Sequence, residues 1–195
     1  MPQTLDDFLH DAWTANPPTG TAGSETDWLP FCKLTSRGTQ LLVIDADFAP
    51  YAQHGLLVDL APGEYEIKAR VIDYGTDKRI SRLRLVMGNR TPSTGHQLGT
   101  TWTDTGKTGV CDYIAYRDAW GDDDEVSWGI VGPTLEQAGT HGIALLNPAS
   151  GTVLPFVTSG FGDGNFSVHE LIDSATNVRI GVEVEFIASD TPYPF

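Results

Sequence analysis

Apolar and polar residues change their rhythm along this chain, and each rhythm predicts an element. From Thr4 to Trp13 the apolar residues Leu5, Phe8, Leu9, Ala12 and Trp13 recur at the helical period, which predicts one amphipathic helix. Thr4 stands where an N-cap is needed, and Asp6 and Asp7 suit the positive end of the helix dipole. The next stretch, Thr14 to Asp27, has no period and is full of Pro, Gly, Ser and Thr, so it reads as a loop or linker. The expected division is an N-terminal helix and linker over 1–30 and a β domain over 31–195.

From about Thr39 the period becomes two. Tyr65, Ile67, Ala69 and Val71 alternate with Glu66, Lys68 and Arg70, which predicts a strand with one wet face. After Gly75-Thr76-Asp77-Lys78, Leu83, Leu85 and Met87 alternate with Arg82, Arg84 and Val86, completing an antiparallel hairpin. GIALLN and TVLPFV around residues 148–151 suggest a second hairpin. A third joins Phe166–Asp173 to the strand carrying Val178, Ile180, Val182, Val184 and Phe186, through Ser174–Asn177. Strands at this spacing, with turns and no helical pattern between them, predict a mainly β fold: one antiparallel sandwich or a partly closed barrel. LLVIDADF (41–48) and TGVCDYIA (108–115) also echo one another, each running small or apolar residues into an Asp.

Composition agrees and narrows the partners. Glycine and proline number 21 and 12 in 195 residues, a turn-rich usage that suits short strands. The formal net charge is −14, from 12 Lys and Arg against 26 Asp and Glu. Phosphate backbones are gripped by clustered cations, so neither nucleic acid nor an anionic membrane is an expected partner, whereas a basic protein or a metal cation is easier to accommodate. No apolar run approaches the roughly 18 residues of a membrane span, and the acidic start is unlike a signal peptide. Cys32 and Cys111 lack metal-site spacing and read as reduced thiols of a cytoplasmic protein.

Several motifs fail on their neighbours. Gly106-Lys107-Thr108 ends like a P-loop, but Thr101 stands where that loop needs Gly. Ser150 and Ser159 lack the preceding Gly of a nucleophile elbow. His10, His54, His96, His141 and His169 are scattered. The run Asp122-Asp123-Asp124-Glu125 lacks the alternation of a calcium loop and reads as a solvated loop. Two Asp-Gly segments are more specific. Residues 103–116 contain Asp104, Gly106 and Asp112, and residues 159–168 set Asp163 between the turn-forming Gly162 and Gly164. Such turns could bring Asp45, Asp104, Asp112 and Asp163 into one acidic site, to share a cation or raise each other's pKa. Asp is equally a preferred turn residue on structural grounds alone.

At these residues the chain resembles the bacterial domain of unknown function 4241 family. That family carries a segment close to V-D-S-G-x-x-x-h-h-D, where h is apolar, and later S-G-x-G-D-G-x-Y. The counterparts are Thr103–Asp112 and Ser159–Phe166, with Leu42-Val43-Ile44-Asp45 and Pro62-Gly63-Glu64-Tyr65 resembling two further family segments. The similarity runs in order over about residues 40–187. Thr103 and Phe166 depart from the pattern, and the Pro often found after the Asp is absent at Ala46 and Tyr113. The resemblance implies a globular, cytoplasmic, bacterial or phage-borne protein and brings no catalytic residue or cofactor with it. Two functions therefore stand side by side. One is a non-enzymatic protein-interaction module, of immunity or accessory type, meeting a basic partner. The alternative is a divalent-cation-binding protein or metal-assisted hydrolase built on the four Asp residues.

Overall fold

The computed structural model describes residues 3–48, 55–88, 90–119, 132–136, 139–147 and 150–195. The run 122–125, His54, and Pro148 and Ala149 of the second hairpin lie outside the described residues. Period-two alternation does what it should: β5 (Gly63–Asp73) and β6 (Lys78–Met87) pair as a hairpin and bury Tyr65, Ile67, Ala69, Val71, Leu83 and Leu85 on one face. β11 (Gly164–Asp173) and β12 (Arg179–Glu185) form the predicted last hairpin, and β9 (His141–Asn147) and β10 (Thr152–Thr158) the second.

These hairpins fall into two antiparallel sheets stacked as a sandwich, with no closed barrel. The larger sheet runs β5-β6-β12-β11-β7, where β7 is Pro92–Thr103. Its β5 edge is shared end to end by β1 (Ser24–Glu25) and β2 (Leu29–Ser36). The smaller sheet runs β4-β3-β8-β10-β9, with β3 at Gln40–Asp45, β4 at Leu56–Asp59 and β8 at Lys107–Asp112. Leu41, Val43, Val110 and Val157 of the smaller sheet meet Tyr65, Ile67, Leu83, Val168 and Val182 of the larger in one core. Non-polar area removed from water there is the main favourable term in folding.

Helical cover was not expected from the sequence, and the smaller sheet has it. Leu42, Ile44, Cys111, Leu154 and Phe156 face away from the larger sheet and form a second core with Tyr116 of α2 (Tyr113–Ala119) and Leu135 of the helical residues 132–136. α2, at seven residues, is too short to show a clear 3.6-residue period. The N-terminal helix is also shorter than its apolar stripe. α1 spans Leu5–Leu9, N-capped by Thr4 in a capping box with Asp7. Beyond it the backbone turns to the β5–β6 loop: Lys78 N–H donates to the Ala12 carbonyl and Thr14 N–H to the Thr76 carbonyl. Trp13 is consequently 61% exposed and off the core. The Pro/Gly-rich stretch is pinned as well, since Gly20 and Thr21 exchange backbone hydrogen bonds with Tyr193. Among the described residues no helix is long and apolar enough to cross a membrane.

Candidate functional site

The echo between residues 41–48 and 108–115 becomes a geometric relation. β3 and β8 pair antiparallel with Leu41 opposite Asp112 and Asp45 opposite Thr108, so a local two-fold relates the two segments. Asp45 and Asp112 thus lie at opposite ends of the pair, four ladder steps or about 13 Å apart along the strands. Both are buried and face the larger sheet.

Their partners match one for one. Asp45 Oδ2 accepts from Thr103 Oγ1 at 2.8 Å, Asp104 N–H at 2.7 Å and Thr105 N–H at 3.0 Å. Asp112 Oδ2 accepts from Ser36 Oγ at 2.8 Å, Arg37 N–H at 2.8 Å and Gly38 N–H at 2.7 Å. In each case one hydroxyl and the next two backbone N–H groups close on a single oxygen. The other oxygen binds the helical turn that follows: Asp45 Oδ1 takes Asp47 N–H at 3.0 Å, and Asp112 Oδ1 takes Ala115 N–H at 2.6 Å. Thr105 Oγ1 adds a further 2.6 Å bond to Asp45 Oδ1. Each carboxylate therefore ties its own strand end to the crossover linking the two sheets, the 103–106 turn before β8 or the 36–39 turn before β3. At Asp112 burial alone would raise the pKa, but these hydrogen bonds together outweigh it and hold the carboxyl below the usual carboxylate range.

The second Asp-Gly segment covers the first. Ser159 N–H donates to the Gly106 carbonyl at 2.8 Å, and the Ser159 and Thr108 hydroxyls share a buried 2.8 Å bond. Gly106, at φ +69°, lies so close to Gly162 that an added Cβ would stand 3.3 Å from its Cα. Phe161 anchors this turn against Tyr74, Tyr193 and Phe195. Asp104 and Asp163 are left exposed at this end, beside the Lys107–Asp47 ion pair at 3.2 Å. The structure thus brings Asp45, Asp104 and Asp163 to one end and Asp112 to the other, so the four do not form one acidic site. Among the described residues no three His, Cys, Asp or Glu side chains are grouped to hold a metal ion. Cys32 and Cys111 are free thiols, and burial pushes Cys32 up to about 12.

A different polar region lies on the outward face of the larger sheet. Six of the chain's twelve Lys and Arg fall in the β5–β6 hairpin, with four of its twenty-six acids. Arg82 there meets three carboxylates: Glu185 at 2.7 Å, Glu183 at 2.9 Å and Glu25 at 3.5 Å. Two residues on, the Arg84 side chain makes no hydrogen bond or ion pair among the described residues. Its guanidinium stacks 3.8 Å above the Trp28 ring, which Arg70 also overlies at 5.0 Å. Burial is the chief cause that lowers the Arg84 pKa to about 10; Glu183 opposes it and Arg70 adds to it. Beside this stack is a hollow of about 540 Å³ whose lining includes Trp28, Pro30, Lys33, Glu66, Ile67 and Lys68. The sequence carried a signal for this region: Lys68, Arg70, Arg82 and Arg84 alternate onto one wet face of an otherwise acidic protein. Trp28 carried none, because it stands between the aperiodic stretch, which ends at Asp27, and the period-two pattern that begins near Thr39.

Comparison with protein-family models, curated proteins and solved structures returned no match.

Proposed function

We propose that this domain is a non-enzymatic protein-interaction module, of immunity or accessory type, that offers an acidic surface to a basic protein. The observation that carries this reading is the uneven charge. Outside the β5–β6 hairpin, six cations stand against twenty-two acids. Exposed carboxylates include Asp6, Asp7, Asp11, Asp59, Asp104 and Asp163. Asp104 and Asp163 sit on two turns braced by each other and by Asp45, so little side-chain or loop ordering opposes binding there. The buried carboxylates Asp45 and Asp112 serve the fold instead. They already accept all the donors described above, and the backbone around them is fixed by those bonds.

Charge-steered association weakens steeply with salt. Poly-lysine, as a minimal basic partner, should bind with an affinity that falls as salt rises. The double variant Asp104→Asn/Asp163→Asn should lose more affinity than Asp27→Asn/Asp190→Asn, which changes net charge equally. Binding indifferent to salt, or equal losses in the two double variants, would remove this end of the sandwich as the contact surface.

A further inference from the structure

Arg82 and Arg84 point from the same face of β6, yet their surroundings are opposite. The cross-strand neighbour of Arg84 is Glu183, but that carboxylate turns to Arg82, which also holds Glu185 and Glu25. Arg84 keeps its half-buried charge against the Trp28 ring and, among the described residues, has no carboxylate within ion-pair distance; its Nε is buried without an acceptor, as are those of Arg70 and Arg82. A half-buried cation without a carboxylate partner carries a desolvation cost that an incoming anion would relieve.

Arg84 does not itself line the 540 Å³ hollow, but two residues next to it do: Trp28, on which it stacks, and Lys68, its other cross-strand neighbour. β2 shifts register between Pro30 and Cys32 along β5, and Phe31 packs against the core and edge-on to His141. Lys33, exposed and without an ion pair among the described residues, also lines the hollow. Trp28 and Pro30 supply apolar walls, and the Lys68–Glu66 pair at 2.8 Å is internally neutral. The volume suits a small organic molecule rather than a bare ion.

We propose that this hollow binds a ligand with an apolar body ending in one carboxylate, the body lying against Trp28 and Pro30 and the carboxylate reaching Arg84. Glu66 and Glu183 nearby, in a chain of net charge −14, disfavour a dianion. A single carboxylate fits the planar fork of Arg without that penalty. A free organic acid and the C-terminus of a peptide with an apolar last residue share this chemistry.

The test follows the Trp28 indole N–H by ¹H–¹⁵N correlation, assigned with Trp28→Phe. The titrants are 4-phenylbutyrate, 4-phenylbutyramide, sodium phosphate, and acetyl-Leu-Phe with a free or an amidated C-terminus. A saturable shift is expected with the two carboxylates, about tenfold weaker or lost with their amides and in Arg84→Gln, and retained in Arg117→Gln, an exposed cation of α2 that does not line the hollow. Tighter binding of acetyl-Leu-Phe assigns a peptide terminus, and tighter binding of 4-phenylbutyrate a free acid. If Arg84→Gln does not fold, Arg84→Met, which keeps an apolar stem over Trp28 and removes the charge, carries the same expectation. No saturable shift with either carboxylate, equal binding of the amides or of phosphate, or full affinity in the folded Arg84→Gln or Arg84→Met variant would overturn the proposal. None of these outcomes depends on whether a basic protein binds the acidic end.

Discussion

The two ends of the β3–β8 pair hold the same carboxylate device and differ in what lies over it. At each end a hydroxyl and two consecutive N–H groups close on Oδ2 and a helical turn closes on Oδ1. At the Asp45 end a second hydroxyl joins, and the Ser159–Asp163 turn stacks on the crossover. At the Asp112 end a hollow of about 250 Å³ opens beside Asp112, Arg37 and Ser150 instead. The shared part shows what a buried Asp does in this fold: it supplies the acceptor that lets a tight inter-sheet crossover bury its N–H groups. Without it, those donors would be unpaired at the rim of the core. The covering turn is a separate addition, and it is the addition that leaves Asp104 and Asp163 outward on a stiff support.

Removing the carboxylates should separate the ends most strongly. Asp45→Ala is expected to cost about 4 kcal/mol and Asp112→Ala about 3 kcal/mol, since each leaves several buried or part-buried donors unpaired and Asp45 has one more. Urea unfolding of both variants checks the order; losses under about 1 kcal/mol would show that water replaces the carboxylate freely. Asp112 also predicts a pH effect. Its folded pKa lies below the unfolded value, so its contribution is complete above about pH 4 and is lost as pH falls through the folded pKa. Asp112→Asn should therefore be less stable at neutral pH and show a flatter decline in acid than the parent chain.

Much of the strand layout was legible because apolar residues alternate with charged or polar ones along β5, β6 and β12. β7 was not legible. It is an edge strand whose first half is largely exposed, and only Thr101 and Thr103 near its end are buried, so it carries no apolar alternation. α2 was hidden for another reason: its start is fixed by the Asp112 cap rather than by a periodic stripe. The candidate Asp residues were found because Asp and Gly mark turns, but their division into two ends depends on the antiparallel register of β3 and β8, and no local pattern encodes that register. The hydroxyl partners Ser36 and Thr103 were missed although each stands nine residues before an Asp. The reason is that each bonds the Asp of the other segment.

That exchange gives the smallest and sharpest test of the comparison. Ser36→Ala and Thr103→Val each delete one hydroxyl donor to a charged acceptor and should cost about 1.5 kcal/mol. Ser36 bonds Asp112 and the Gly38 carbonyl, whereas Thr103 bonds Asp45 and, more weakly, the Lys107 carbonyl. Double-mutant cycles in unfolding should therefore find coupling for Ser36 with Asp112 and for Thr103 with Asp45, using Asn at the Asp positions. The crossed pairs, Ser36 with Asp45 and Thr103 with Asp112, should be additive within about 0.5 kcal/mol because they lie at opposite ends of the ladder. Coupling in the crossed pairs would mean that the two ends open as one unit, and the two-fold device would then be a single cooperative clamp across β3 and β8 rather than two independent ties.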